Sequence, residues 1–118
     1  MQATYDIFDV VRVPFPFSDL SHHKRRPALV ISSHAAFGQG SRHAVVAMIT
    51  GAHHSSFPLD VLLTQPEQAG LPKTSTLRMK LFTIEQSLIE KKLGRLRPKD
   101  RQNAAASLRA LIPLLKKG

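Results

Sequence analysis

Two short apolar runs, Val10-Val11-Arg12-Val13-Pro14-Phe15 and Ala28-Leu29-Val30-Ile31-Ser32, flank a polar stretch, Ser18–Arg26, that ends in Lys24-Arg25-Arg26-Pro27. The connection is too short for the crossover that joins parallel strands, so consecutive runs of this kind belong to an antiparallel sheet. The first run, Ile7–Phe15, is rich in Val and Phe and sets Val11 and Val13 against Arg12, the alternation of a strand. Pro14 and Pro16 end this strand or place it at an edge, because proline has no N–H for the ladder. Pro27 opens the second strand, and the basic cluster before it falls at the end of the loop.

The same grammar continues. Ala44–Ile49, Leu59–Leu63, Ser75–Leu81 and Leu88–Leu96 read as further strands. Phe37–Arg42, with Gly38 and Gly40, reads as a turn region. Gly51–Ser56 reads as a loop, Gln65–Lys73 as a connection, and Thr83–Ser87 as one helical turn capped by Thr83. From Pro98, which suits a first helical turn, the period changes. Ala104, Leu108, Leu111, Ile112 and Leu115 recur at helical spacing, and Pro113 kinks or ends that helix. The fold class is mainly β with a C-terminal α-helix: a small barrel or curled sheet capped by the helix.

A chain of 118 residues makes one domain with a modest core, which self-association would support. It has no cysteine, which removes disulfides and thiolate metal sites and fits a reducing cytosol. The first residues show no signal-peptide pattern, and no apolar stretch approaches the ~18 residues of a membrane span. The formal charge of +9 points to a polyanionic partner. Most of the excess is C-terminal: residues 88–118 hold nine Lys and Arg against two acidic residues. That suits a nucleic-acid footprint and a solvated helix face equally.

Few residues offer chemistry. Arginine presents a rigid, permanently charged fork that matches phosphate oxygens, and Pro27 gives Arg26 a defined aim. Residue type alone also allows a plain surface arginine. Thr50, at a strand end, can donate to a phosphate oxygen or simply close a turn. The histidines come as His22-His23 and His53-His54, plus His34 and His43. Adjacent residues of an extended chain point to opposite sides, and no Cys/His or HExxH spacing exists, so no metal site is expected. His22 or His23 can act as an acid or base near neutral pH, or be an exposed loop histidine. Phe15 and Phe17 flank the basic loop and can stack on unpaired bases or serve the core. GxSxG, Walker and GxGxxG patterns are absent, and Asp9, Asp19 and Glu85 form no carboxylate pair.

Asp9–Asp19 together with Lys24–Ser32 resembles the opening of the MazF/PemK toxins of type II toxin–antitoxin systems, of the PemK-like branch. Ala47-Met48-Ile49-Thr50, Lys80-Leu81-Phe82-Thr83-Ile84 and Leu88–Leu96 resemble later family segments, in order along most of the chain. The resemblance implies an SH3-like barrel of the MazF/PemK/CcdB type in a single domain over 1–118, barrel about 5–96 and helix about 98–115. It implies a cytoplasmic homodimer that cuts single-stranded RNA at specific sequences without metal or cofactor. A cognate antitoxin would neutralise it, DNA would be met only through the antitoxin complex, and no membrane is involved. Arg26 matches the family's catalytic arginine and Thr50 its active-site hydroxyl. His22 or His23 would assist proton transfer; Phe17, Lys24, Arg25, Arg78 and Lys80 would contact RNA. Two other readings share the barrel: a gyrase poison of the CcdB type, and a noncatalytic nucleic-acid-binding module in operon autoregulation. The chain departs from the family pattern at Phe8, where glycine is frequent, at Ser21-His22-His23, where Gly-Ser often precedes the basic residues, and at Met79, where an acidic or polar residue is common.

Overall fold

The computed structural model describes residues 3–15, 24–51 and 56–115. Phe17, His22 and His23, and the His53-His54 pair, lie outside the described residues. Six strands make one curled antiparallel sheet: β1 (Asp9–Phe15), β2 (Lys24–Val30), β3 (His43–Thr50), β4 (Val61–Leu62), β5 (Thr76–Glu85) and β6 (Lys91–Arg95). Their order is β4-β5-β3-β2-β1-β6. After β6 the chain forms α2 (Pro98–Leu111), and a short α1 (Gln39–Ser41) follows a π-helical turn at His34–Gly38.

The pleat sorts side chains into two cores. Val10, Leu29, Ala47, Ile49, Leu77 and Met79 face one side, where they meet Leu96, Ala104 and Leu108. Val11, Val13, Ala28, Val30, Val46, Met48 and Ile84 face the other, under Tyr5 and Ile89. Helix α2 thus covers the first side. Residues two apart along a strand share a face, so this sorting also fixes where Arg26, Thr50, Arg78 and Lys80 point.

Near the sheet ends, backbones touch. A Cβ on Gly94 of β6 would lie 2.5 Å from the carbonyl oxygen of Ala69, and one on Gly70 would collide with the Leu93 carbonyl. The 3-10 turn Glu67–Ala69 therefore docks directly on β6 because both residues are glycine. Gly70 also needs its φ of 82°.

Phe8 takes the position where family members often carry glycine, and its φ is 75°. That left-handed conformation costs an L-residue about 1–2 kcal/mol. The turn is held by Asp9 N–H donating to the Asp6 carbonyl (3.0 Å) and Phe8 N–H donating to Val30 (2.8 Å). The Phe8 ring packs on the first core, with the Arg101 guanidinium 5.8 Å from its centroid, and this contact offsets the strain.

Several boundaries differ from the sequence reading. Strand β2 begins at Lys24, not after Pro27, so the basic cluster is strand rather than loop. Pro27 is tolerated because β2 pairs with β3 over Ala28–Val30 alone, which leaves its missing N–H on an unpaired edge. Pro14 likewise sits beyond the β1–β6 pairing, which ends at Arg12. The expected turn at Phe37–Arg42 is largely helical, with the Ser33 hydroxyl accepting from Ala36 N–H at 3.0 Å. The expected helical turn at Thr83 is strand as far as Glu85, because the β3–β5 ladder runs to His43 opposite Glu85. Strand β4 shrinks to two residues because Leu59 belongs to a turn. Helix α2 stops at Leu111 and Pro113 starts a separate 3-10 turn. Its buried face is Asp100, Ala104, Ser107 and Leu108, and Leu111 and Leu115 are exposed.

Candidate active site

Continuing the β2–β3 register, in which Ala28 lies opposite Met48, by two residues brings Arg26 opposite Thr50. Both alternate onto the face of Val30, Val46 and Met48. A cavity of about 290 Å³ opens there, lined by Lys24, Arg25, Arg26, Pro27, Ile49, Thr50, Gly51, Pro72 and Ser75. The two residues singled out as catalytic, from strands 24 positions apart in sequence, thus share one small cleft.

Arg26 is half-buried. Its Cζ lies 5.8 Å from the centroid of the Phe15 ring, and its Nε is buried with no hydrogen-bond partner among the described residues. Orphaning a buried donor costs about 1–3 kcal/mol; Arg12 Nε and His34 Nδ1 are in the same state, but of the three Arg26 is the one that lines the cleft. A phosphate in the cleft would supply acceptors to this guanidinium. Phe15 in turn meets Phe82 edge to face, with centroids 5.7 Å apart, so the ring beneath Arg26 is itself braced.

Arg25 alternates to the opposite face from Arg26. There its Nε donates to Glu90 Oε1 at 2.9 Å, an exposed pair worth little to stability. Lys24 is exposed and returns to the Arg26 face at the rim. Arg78 and Lys80 alternate onto that face too, farther along the sheet, since Leu77, Met79 and Leu81 all belong to the first core. Arg78 is not an open cation: its Nη2 and Nε donate to Asp60 Oδ2 and Oδ1 at 2.8 and 3.2 Å. Donation from Arg78, with help from the Phe57 N–H, holds the Asp60 carboxyl below the usual carboxylate range against a smaller opposing effect of desolvation.

Sequence reasoning missed Pro72 and Ser75 as cleft walls. Ser75 is buried and donates to the Pro72 carbonyl at 3.0 Å, which fixes the rim facing Thr50. Pro72, in the connection after Gly70, was their one local signal. A larger cavity of about 530 Å³ lies between Tyr5, His34, Arg42 and Gln86. It holds His34 and Glu85 but neither Arg26 nor Thr50, and pairs no arginine with a hydroxyl at a strand end, so the smaller cleft is the candidate site. Among the described residues no three His, Asp or Glu side chains gather as a metal site, and no helix is long and apolar enough to cross a membrane.

The six-stranded curled sheet with its C-terminal helix is the small SH3-like barrel, here carrying an arginine and a hydroxyl on adjacent strands in one cleft. The model of the PemK-like, MazF-like toxins of type II toxin–antitoxin systems matches residues 6–112, and the chain belongs to that family. Among solved structures it is similar to MazF in a MazE–MazF crystal structure from Deinococcus radiodurans, with TM-score 0.73, 19% identity and coverage of 94% of this chain and 98% of that one. It is also similar to an endoribonuclease in complex with its cognate antitoxin from a mycobacterial species (TM-score 0.71, 18% identity, 93% and 96% covered). A third is the Mycobacterium tuberculosis toxin MazF-mt6 (TM-score 0.69, 16% identity, 89% and 96% covered). Curated protein sequences give no significant match.

Proposed function

We propose that this chain is a sequence-specific endoribonuclease toxin that cuts single-stranded RNA without a metal ion and is silenced by a cognate antitoxin. The observation that carries the reading is the meeting of Arg26 and Thr50 in one cleft within a chain of the MazF/PemK family. In the proposed reaction the RNA 2′-hydroxyl loses its proton and its oxygen bonds to the adjacent phosphorus. The bond from phosphorus to the 5′-oxygen then breaks, and that oxygen takes a proton. The products are a 2′,3′-cyclic phosphate, which water opens to a 3′-phosphate, and a 5′-hydroxyl.

Charge builds on the non-bridging oxygens as the five-coordinate phosphorus forms. The Arg26 fork neutralises it, and the Thr50 hydroxyl donates to one of those oxygens. Proton transfer falls to His22 or His23, or to Arg26 with solvent. Lys24, Phe17 and Lys80 extend the RNA contact, whereas Arg25, turned to the opposite face and engaged by Glu90, stands outside it; the active species is a homodimer in the cytoplasm, and DNA is engaged through the antitoxin complex. One toxin domain spans 1–118.

The test is incubation of the purified chain with a long single-stranded RNA in EDTA, followed by mapping of the ends. Discrete cuts leaving cyclic phosphate or 3′-phosphate establish the reading and give the recognition sequence. Intact RNA from folded, antitoxin-free protein overturns it. Full rate in His22→Ala and His23→Ala assigns the protons to Arg26 and solvent.

The Thr50→Val variant keeps shape and removes the hydroxyl. Loss of one hydrogen bond to a charged oxygen lowers kcat/KM about 10- to 100-fold. Steady-state cleavage of a short RNA checks this, and Thr50→Ser restores most of the rate.

A further inference from the structure

The loop before β4 is built with unusual care around Phe57. Asp60 N–H donates to the Phe57 carbonyl, and Phe57 N–H donates back to Asp60 Oδ2, both at 3.1 Å. Between them stand Pro58 and Leu59, and Leu59 has a φ of 68°. Proline followed by a left-handed residue is the type II turn pattern, but the second place normally takes glycine or asparagine. A branched apolar residue there is strained. From outside the turn, Ser107 of α2 donates its hydroxyl to the Leu59 carbonyl at 2.6 Å. A strained turn tied at three points fixes whatever it displays.

It displays the Phe57 ring, over a third exposed, with the Arg78 Cζ at 5.4 Å and the Lys80 Nζ at 5.3 Å from its centroid. The two cations differ. Arg78 and Asp60 form a largely buried ion pair whose charges cancel. Lys80 is exposed and forms no ion pair among the described residues. Thr76 lies opposite Thr50, and Lys80 alternates onto the same face four residues farther along β5, about 13 Å away at the rise of a strand.

We infer that Phe57 and Asp60 are positioning residues of the RNA groove, with Lys80 as the phosphate contact they position and Arg78 as a strut. This rests on the reading of the chain as an RNA-binding toxin. An ammonium held over an aromatic face has already surrendered much of its rotamer freedom, so less is lost when a phosphate arrives. Asp60 does two jobs with one carboxylate: it closes the turn under Phe57 and withdraws Arg78 from the backbone of the RNA.

The experiment measures binding of a short single-stranded RNA, fully 2′-O-methylated so that it carries no attacking hydroxyl, to the full chain across a salt series. Loss of one phosphate contact in Lys80→Met flattens the slope of log K against log salt by about 0.7. Phe57→Leu keeps the apolar bulk, removes the aromatic face and weakens binding about two- to five-fold. It adds nothing in the Lys80→Met background, and Phe57→Trp restores binding. The paired change Asp60→Asn with Arg78→Gln removes the carboxylate that closes the turn under Phe57, so it weakens binding about two- to five-fold, as Phe57→Leu does, and adds nothing in the Lys80→Met background. An unchanged slope in Lys80→Met, additive effects of Phe57→Leu and Lys80→Met, or wild-type binding in the Asp60/Arg78 pair each overturn the inference. Wild-type protein that binds this RNA yet leaves ordinary RNA uncut overturns the ribonuclease reading and not this one, whereas failure to bind RNA overturns both.

Discussion

Replacing Arg26 with alanine lowers kcat/KM for RNA cleavage about 10³-fold and leaves the melting temperature no lower than in the wild type. The first half follows from the chemistry proposed for the cleft. Removing one preorganised donor to developing oxyanion charge typically costs 10²- to 10³-fold, and Arg26 brings a full charge as well as donors. The second half follows from the packing. Arg26 Nε is buried with no partner among the described residues, so the side chain contributes a polar penalty as well as its contact with Phe15. Truncation removes that penalty, about 1–3 kcal/mol, together with a cation–π contact of about 0.5–1 kcal/mol. A residue kept for folding behaves the other way, losing stability and activity together. Arg26→Lys retains charge without the planar fork and recovers only a small part of the rate. Kinetics on a short RNA beside a thermal melt of each variant separates these outcomes; a melt lowered in proportion to activity would assign Arg26 to structure instead.

The convergence of Arg26 and Thr50 on one cleft is legible in the sequence because their signals are local. Each sits at the end of an apolar run, and strand alternation with an antiparallel ladder carries both to one face. The family resemblance then selected them from several basic and hydroxyl residues of equal local promise. Arg25 shows the limit of that reasoning. It has the same composition and the same neighbours as Arg26, yet the pleat turns it to the opposite face and Glu90, 65 residues away, engages it. Arg78 shows the same limit, since Asp60 lies 18 residues before it across the β4–β5 hairpin. The turn at Phe57 carried only Pro58 as a signal, and its left-handed residue is Leu59, where no turn rule expects one. The start of β2 was misplaced because proline was read as a start. Its cost depends on which neighbouring strand is present at that level, a property of the sheet and not of the dipeptide.

Asp100→Ala destabilises the chain by about 3–5 kcal/mol, the largest stability effect expected of any single polar substitution here. Asp100 is fully buried in the first turn of α2, where a negative charge meets the positive end of the helix. It accepts from Thr64 N–H at 2.8 Å, Thr64 Oγ1 at 2.9 Å and Gln65 N–H at 3.0 Å. Alanine leaves two backbone donors stranded beside a cavity, each worth about 1–3 kcal/mol, and removes a favourable helix-end charge. Asp100→Asn is nearly as harmful, because the amide offers one acceptor oxygen where the loop supplies donors to both carboxylate oxygens. The consequence reaches the candidate cleft. Residues 64 and 65 lead into the turn that docks through Gly70 and Gly94 on β6, and then into Pro72 and Ser75, which wall the cleft opposite Arg26. Release of the Thr64–Gln65 anchor therefore loosens the helix cap, the end of the sheet and the cleft rim together. Urea unfolding of Asp100→Ala should show a lower midpoint with an unchanged slope, and activity at low temperature should fall further than the folded fraction does, because the cleft rim is loosened as well. An unfolding free energy within about 1 kcal/mol of wild type would mean that water replaces the carboxylate at the helix start, and that the rim is held by the glycine contact by itself.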